Sequence, residues 1–430
     1  MEEHKYHIFV IGYDDFNINQ LKQLPLGAQV NYHAALSYED IKSSEHVPAL
    51  ELFHRAESQI LNSDFKPDAV ITFWDFPATI LAAMLAERFG LRSASVESIF
   101  KCENKRWSRT EQAKVIGEHI PCFAGFNPDD RDAFANIGLA PPFWIKPVKS
   151  FRSYLAFRVD SAADFEHHRQ ALTAGIDGIY KPFQELMVKS RLPGDIAGSE
   201  LSCIAEAPLT GEMCTVEAYA FGDEVVCYGI VDSIREQHSN SFNRYQYPSK
   251  LPATVQQRMA ELTRDVARQL DLRDACFNVE YFYNPADESV HLLEINPRTS
   301  QSHSWLFCMV DGVSQFRHQV DIALGRRPQV LPQQGEFAIA AKYMHRAFKS
   351  GVVTQVPDAR RLAEISRVFA GTQIKLHVNA GDDLNELLFQ DAYSFELADI
   401  YIGAADEAEL EQRYRAIAAM LDIRIAPKQC

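Results

Sequence analysis

The chain has 430 residues, 47% hydrophobic and 23% charged, the composition of a folded soluble protein rather than a disordered one. Its length exceeds one ordinary core and implies two to four lobes. A formal net charge of −15 argues against nucleic acid or an anionic membrane as a partner, because both recognise a basic surface.

No run of about 18 apolar residues occurs, and Met1-Glu2-Glu3-His4-Lys5 lacks the basic-then-apolar layout of a signal peptide, so a cytoplasmic location is expected. The eight cysteines form no C-x-x-C pair, and most sit in apolar surroundings, which reads as reduced thiols rather than a disulfide or zinc framework. Cys430 is not four from the end, as prenylation requires.

Residues 6–12, Y-H-I-F-V-I-G, form a short apolar run typical of a buried parallel strand. A second strand fits 29–34, a helix 48–61, a third strand 68–73, and a helix 77–89 ending at Gly90. Strand and helix alternate, so 1–97 reads as an open α/β lobe. The first strand ends in Gly12-Tyr13-Asp14-Asp15 and lacks the G-x-G-x-x-G of a dinucleotide site.

Within 98–120, the stretch C-E-N-K-R-W-S-R-T opens a basic helix, which standing alone is a solvated face. Residues 141–147, P-P-F-W-I-K-P, read as a strand interrupted by Lys146. A buried ammonium is costly without an anion, and a nucleotide phosphate is a natural partner. Helices are expected at 161–170 and 184–190, a loop at 192–199 and a strand at 200–205. E-A-P-L-T-G-E follows at 206–212, then a hairpin of 213–220 and 224–231 about Gly222-Asp223. Polar and aromatic residues at 236–251 suggest a mobile loop near the site. The apolar spacing of Val255, Met259, Leu262 and Val266 predicts a core-packed helix over 254–270.

Two further strands, 277–283 and 290–296, flank the turn-forming Asn284-Pro285-Ala286-Asp287. With the turn centred on Asp287, Glu280 lies opposite Glu294, and like charges facing each other destabilise a sheet unless something offsets them. A divalent cation does so. Two carboxylates with the Asn296 amide oxygen are hard donors suited to Mg²⁺ or Mn²⁺ held with a nucleotide's phosphates. Arg298, two residues on, can grip an anion bidentately.

This pairing of an acid on one strand with E-x-N-x-R on the next resembles the ATP-grasp superfamily, in particular its carboxylate-amine ligases. The resemblance implies that Glu280, Glu294 and Asn296 hold Mg²⁺ against the phosphates of ATP and that Arg298 faces the reacting carboxyl group. It implies that Lys105, leading its helix, and Lys146 reach the phosphates. It puts Glu206 and Leu209 at the adenine and Glu212 at the ribose. The family's glycine-rich loop is replaced by Val148-Lys149-Ser150-Phe151-Arg152-Ser153-Tyr154, in which Ser150, Ser153, Lys149 and Arg152 supply the donors. His303 either orients substrate or assists proton transfer, or serves as a hydrogen-bonding residue at the start of an amphipathic helix reaching about Leu324. Ser302 stands where biotin carboxylases place the glutamate that acts on bicarbonate, which argues against carboxylation of biotin.

Residues 331–430, with strands at 337–343 and 374–378 and a helix at 407–421, are similar to the C-terminal α/β lobe of the larger amino-acid ligases. The expected fold is therefore α/β: an ATP-grasp fold with an N-terminal open α/β pre-ATP lobe (1–97), a small lid region (98–205), a large region carrying the metal hairpin (206–330) and a C-terminal α/β lobe (331–430). The implied activity joins a carboxylate, activated by ATP as an acyl-phosphate, to an amine, releasing ADP and phosphate. The same residues suit an ATP-grasp kinase, and the glycine-free loop also suits a nucleotide-binding regulatory protein without turnover. The partners expected are small-molecule carboxylate and amine substrates, with no nucleic acid and no membrane, in a homodimer.

Overall fold

The first strand owes its place to Ile8–Ile11, four consecutive residues with at most 1% exposure, an apolar run that only a strand covered on both faces can hide. The computed structural model describes residues 5–24, 29–42, 47–150, 154–197, 199–239, 241–387 and 394–428. Ser153 and Arg152, expected among the loop donors, lie outside the described residues.

β1 (Tyr6–Tyr13), β2 (Val30–Ser37) and β3 (Ala69–Ile71) form a parallel sheet in the order β2-β1-β3. Helix Ala78–Phe89 ends at Gly90, whose left-handed φ of 65° closes the helix. The chain leaving the carboxyl end of β3 delivers Trp74 and Asp75, the end of an open α/β sheet at which ligands bind.

β4 (Phe123–Phe126), β5 (Phe143–Pro147), β6 (Phe157–Val159) and β7 (Cys203–Glu206) make a second, antiparallel sheet in the order β4-β7-β5-β6. Helix Asp177–Lys189 contributes Phe183, Leu186 and Met187 to the core shared with it.

The largest sheet takes up β8 (Glu212–Phe221), β9 (Glu224–Arg235), β10 (Phe242–Tyr247), β11 (Ala275–Asn284), β12 (Ser289–Asn296) and β13 (Ile339–Ala347). Beyond β14 (Val352–Gln355), it also takes up β15 (Gln373–Leu376) and β16 (Phe395–Ala404). The order is β12-β11-β8-β9-β10-β13-β16-β15, antiparallel throughout, so one sheet runs across residue 330 into the last hundred residues. β14 pairs separately with β17 (Arg424–Ala426).

Three local expectations are corrected. The expected loop at 236–251 holds β10. Its inward positions include Arg244 and Gln246, both buried, and Arg244 is matched by Glu407 at 2.8 Å and Glu411 at 2.9 Å on helix Glu407–Leu421. A strand whose inner face is satisfied by ion pairs shows no apolar alternation. The single helix expected to Leu324 is two, Ser304–Asp311 and Gln315–Ala323, broken by Gly312 at φ 75° and restarted by Ser314, whose hydroxyl accepts from the Phe316 N–H. The expected loop at 192–199 contains a short helix, Gly194–Ala197.

Among the described residues no helix is long and apolar enough to cross a membrane. The seven described cysteines are unbonded, four of them buried.

Candidate active site

The β11–β12 hairpin sets the floor of a cavity of about 410 Å³ that opens between the parallel sheet, the four-stranded sheet and the large sheet. Its register puts Glu280 opposite Glu294 and Asn278 opposite Asn296, with a bulge just after Glu280. Asn296 Nδ2 donates to Asn278 Oδ1 at 3.1 Å and to Glu280 Oε1 at 3.2 Å, while Asn278 Nδ2 donates to the Arg298 carbonyl at 3.1 Å. These bonds fix the amides and lock the chain as it leaves β12.

Burial, and then the Glu294 charge across the ladder, push the Glu280 carboxyl up to about 8. Glu294 goes the other way: burial opposes its ionisation, but Lys105 and Lys146 outweigh burial and hold it below the usual carboxylate range. Lys105 Nζ stands 3.5 Å from Glu294 Oε2. Two carboxylates that resist being charged together, beside an amide, form an all-oxygen set that a hard divalent cation satisfies.

Asn104 caps helix Lys105–Ile116 by accepting from the Trp107 N–H at 3.1 Å, which aims the first turn at the cavity. Lys105 Nζ donates to the Ser150 carbonyl at 3.0 Å. One turn on, the buried Arg109 donates to Glu206 Oε1 at 2.6 Å, to Gln112 Oε1 at 2.6 Å and to the Leu293 carbonyl at 2.5 Å. The other Glu206 oxygen takes Lys146 Nζ at 2.5 Å. Burial would raise Glu206, but Arg109 and Lys146 prevail and hold it at about 2. Glu206 is thus the counter-charge that fixes Lys146 in the wall.

At the opposite wall Asp75 accepts from the Phe76 N–H at 2.7 Å and lies 3.2 Å from Lys149 Nζ and 3.4 Å from Arg298 Nη2. Lys149 also pairs directly with Glu103, which takes the Thr79 hydroxyl at 2.7 Å. Lys149 is therefore turned inward as a structural ion rather than standing free as a loop donor. Burial opposes charge on Arg298, yet Asp75, Glu103 and Glu280 keep it firmly protonated.

Of the residues singled out from sequence, Lys105, Lys146, Ser150, Glu206, Glu280, Glu294, Asn296 and Arg298 line this one cavity. Leu209 and Glu212 are not among its lining residues; Glu212 is exposed and opens β8 opposite Tyr283. His303 stands behind the wall: Nδ1 meets Glu217 Oε1 at 2.7 Å, both residues are buried, and the Tyr245 ring packs edge-on at 4.9 Å. It precedes helix Ser304–Asp311 without capping it.

Asp75, Glu103 and Arg109 also line the cavity without having been singled out from the sequence, and Phe242 and Tyr245, from the aromatic stretch expected near the site, line it too. Two carried a signal: Asp75 follows the third strand directly, and Arg109 lies four residues beyond Lys105 on one helix face. Phe242 and Tyr245 ride on the unanticipated β10. The lining holds five cations, Lys105, Arg109, Lys146, Lys149 and Arg298, and five acids, Asp75, Glu103, Glu206, Glu280 and Glu294. Another acidic cluster, His377, Glu396 and Asp399, lies on the C-terminal side of the large sheet. There Lys342, at 2.9 Å from Asp399, supplies the balancing charge.

Residues 139–304 match the family model described as an ATP-grasp domain. Over 121 residues the chain is 27% identical to the carbamoyl phosphate synthase large chain of Clostridium acetobutylicum, a match taking in 27% of this chain and 11% of that much longer protein. The solved L-amino acid ligase from Bacillus licheniformis superposes with a TM-score of 0.72 at 16% identity, covering 99% of this chain and 100% of that one. Carboxyaminoimidazole ribonucleotide synthase from Aspergillus clavatus, complexed with ATP, superposes with a TM-score of 0.67 at 16% identity, covering 98% and 99%. At these identities the likeness to the solved structures is one of fold.

Proposed function

We propose that the chain, whose residues 139–304 match an ATP-grasp domain, is an ATP-dependent ligase that activates a small carboxylate as an acyl-phosphate and joins it to an amine, releasing ADP and phosphate. The observation that carries this reading is the facing pair Glu280 and Glu294, half-buried in the cavity with Lys105 and Lys146 beside Glu294. Two acids held against their own repulsion have no structural use, whereas between them and the lysines a metal-bound polyphosphate is matched on both sides.

The chain's residues divide the work by position. Lys105, on a capped helix, and Lys146, held by Glu206, offer ammonium groups to phosphate oxygens without having to be ordered at the moment of reaction. Arg298 is kept charged by Asp75 and takes the carboxylate that attacks the terminal phosphorus. Its guanidinium then faces the carbonyl oxygen when the amine adds and phosphate departs. Trp74, Phe242 and Tyr245 flank the same space and exclude water from an intermediate that water would hydrolyse. Glu280, Glu294 and Asn296 are the residues that would hold Mg²⁺, which when bound neutralises charge on the transferring phosphoryl group. Apposition of the L-amino acid ligase over the whole chain length supports an amino acid as carboxylate, amine or both.

Incubation with ATP, Mg²⁺, pooled amino acids and small carboxylates, and hydroxylamine tests this reading. Substrate-dependent ADP together with hydroxamate is the expected result. AMP in place of ADP would overturn the acyl-phosphate route.

A further inference from the structure

A second cavity, of about 210 Å³, lies where helix Asp15–Lys22 of the first lobe meets the turn between helices Ser304–Asp311 and Gln315–Ala323. It shares no lining residue with the active-site cavity. Gln20 projects from the helix into it at 3% exposure, and neither its Nε2 nor its Oε1 has a hydrogen-bond partner among the described residues. Trp305 Nε1, on another wall, is likewise buried and unpartnered. A buried carboxamide with both ends unmade costs free energy in any fold, so such a group in a cavity of this size calls for an occupant.

The wall chemistry narrows what that occupant is. The charged groups are already matched to one another: Asp321 takes Arg317 Nε at 2.6 Å and Arg326 Nε at 3.1 Å. Hydrogen-bonding capacity is left over on Gln20, one donor and one acceptor side by side, on Trp305, one donor, and on Asp321 Oδ1, whose charge is already matched by the ion pair with Arg326. Leu24, Val313 and Cys308 supply apolar surface between them. The volume is below that of a drug-sized ligand site and several times that of one water.

We propose that this cavity binds a small, planar, neutral molecule whose amide edge, an N–H beside a C=O, pairs with the Gln20 carboxamide while a further acceptor meets the Trp305 indole. Oxo-bearing nucleobases and primary carboxamides both carry that edge. The site is separate from the ligase chemistry and stands whether or not that reading holds.

Hypoxanthine and nicotinamide, titrated calorimetrically into the full chain, distinguish the two sources. One of them should bind the wild-type protein and bind about tenfold or more weakly to both Gln20→Leu and Trp305→Phe. Gln20→Leu replaces an unpaired amide by an apolar group of similar length, so its thermal midpoint should not fall, and Trp305→Phe keeps the ring while removing the donor. Affinity unchanged in both variants would place the ligand elsewhere and overturn the proposal. So would the failure of both probes to bind at millimolar concentration, which would leave the cavity to solvent.

Discussion

Glu280 is the residue at which stability and function part. Its carboxyl is pushed to about 8 by burial and by the Glu294 charge, so the fold carries a local penalty, met by a retained proton in the metal-free protein and by a cation when one is bound. Glu280→Gln should therefore raise stability in metal-free buffer by about 1 kcal/mol, read from urea unfolding, while reducing ADP formation at least a hundredfold. Loss of stability on that substitution would show that the pair is not strained. His318 gives an independent pH signature away from the site. Burial, with Arg317 beside it, lowers its imidazole from an ordinary 6.5 to about 4. The unfolded chain takes up this proton below about 6.5 and the folded chain refuses it until about 4. Stability from this group is thus complete above pH 6.5 and is lost as the pH falls toward 4, on the order of 3 kcal/mol. His318→Gln should flatten that limb of the unfolding free energy against pH; an unchanged profile would mean that the ring is protonated in the fold.

At the scale of elements, the site is held by a helix and strands that meet through a charge network rather than through apolar contact alone. Arg109 links helix Lys105–Ile116 to β7 through Glu206 and to β12 through the Leu293 carbonyl. Arg109→Met leaves the Glu206 carboxylate with Lys146 as its remaining cation and should cost about 3 kcal/mol in equilibrium unfolding. A cost near zero would relegate the pair to decoration.

The same feature explains which elements were legible in the sequence. The β11–β12 hairpin announces itself by β-branched and aromatic residues about a turn, and counting from Asp287 predicts the Glu280–Glu294 register that the structure displays. β1, β3 and the helices ending at Leu61 and Phe89 follow from apolar runs and caps. β10 did not show, because Arg244 and Gln246 face inward: Gln246 accepts from Arg244, and Arg244 is matched by Glu407 and Glu411, residues more than 150 positions away. His303 reads from sequence as a group at the site, yet its partner Glu217 comes from a different strand, and no local pattern foretells that contact. Sequence shows which groups need partners; only the fold says which partner each finds.

Among the described residues, one eight-stranded sheet carries the hairpin at one edge and strands of the last hundred residues at the other, and residues at the ends of the parallel and four-stranded sheets meet it around one cavity. The cavity at their junction matches five cations with five acids in a chain of net charge −15. With Glu280 holding its proton near neutral pH, the surplus is about one positive charge, far short of a triphosphate, so a metal ion must arrive with the nucleotide. The most direct test is calorimetric ATP binding, with Mg²⁺ and with EDTA, in the wild-type protein and in Glu280→Gln/Glu294→Gln. Mg²⁺ should tighten ATP in the wild-type protein by about tenfold or more and leave the double variant unaffected. The same Mg²⁺ dependence in both proteins would contradict the placement of the metal between these two acids.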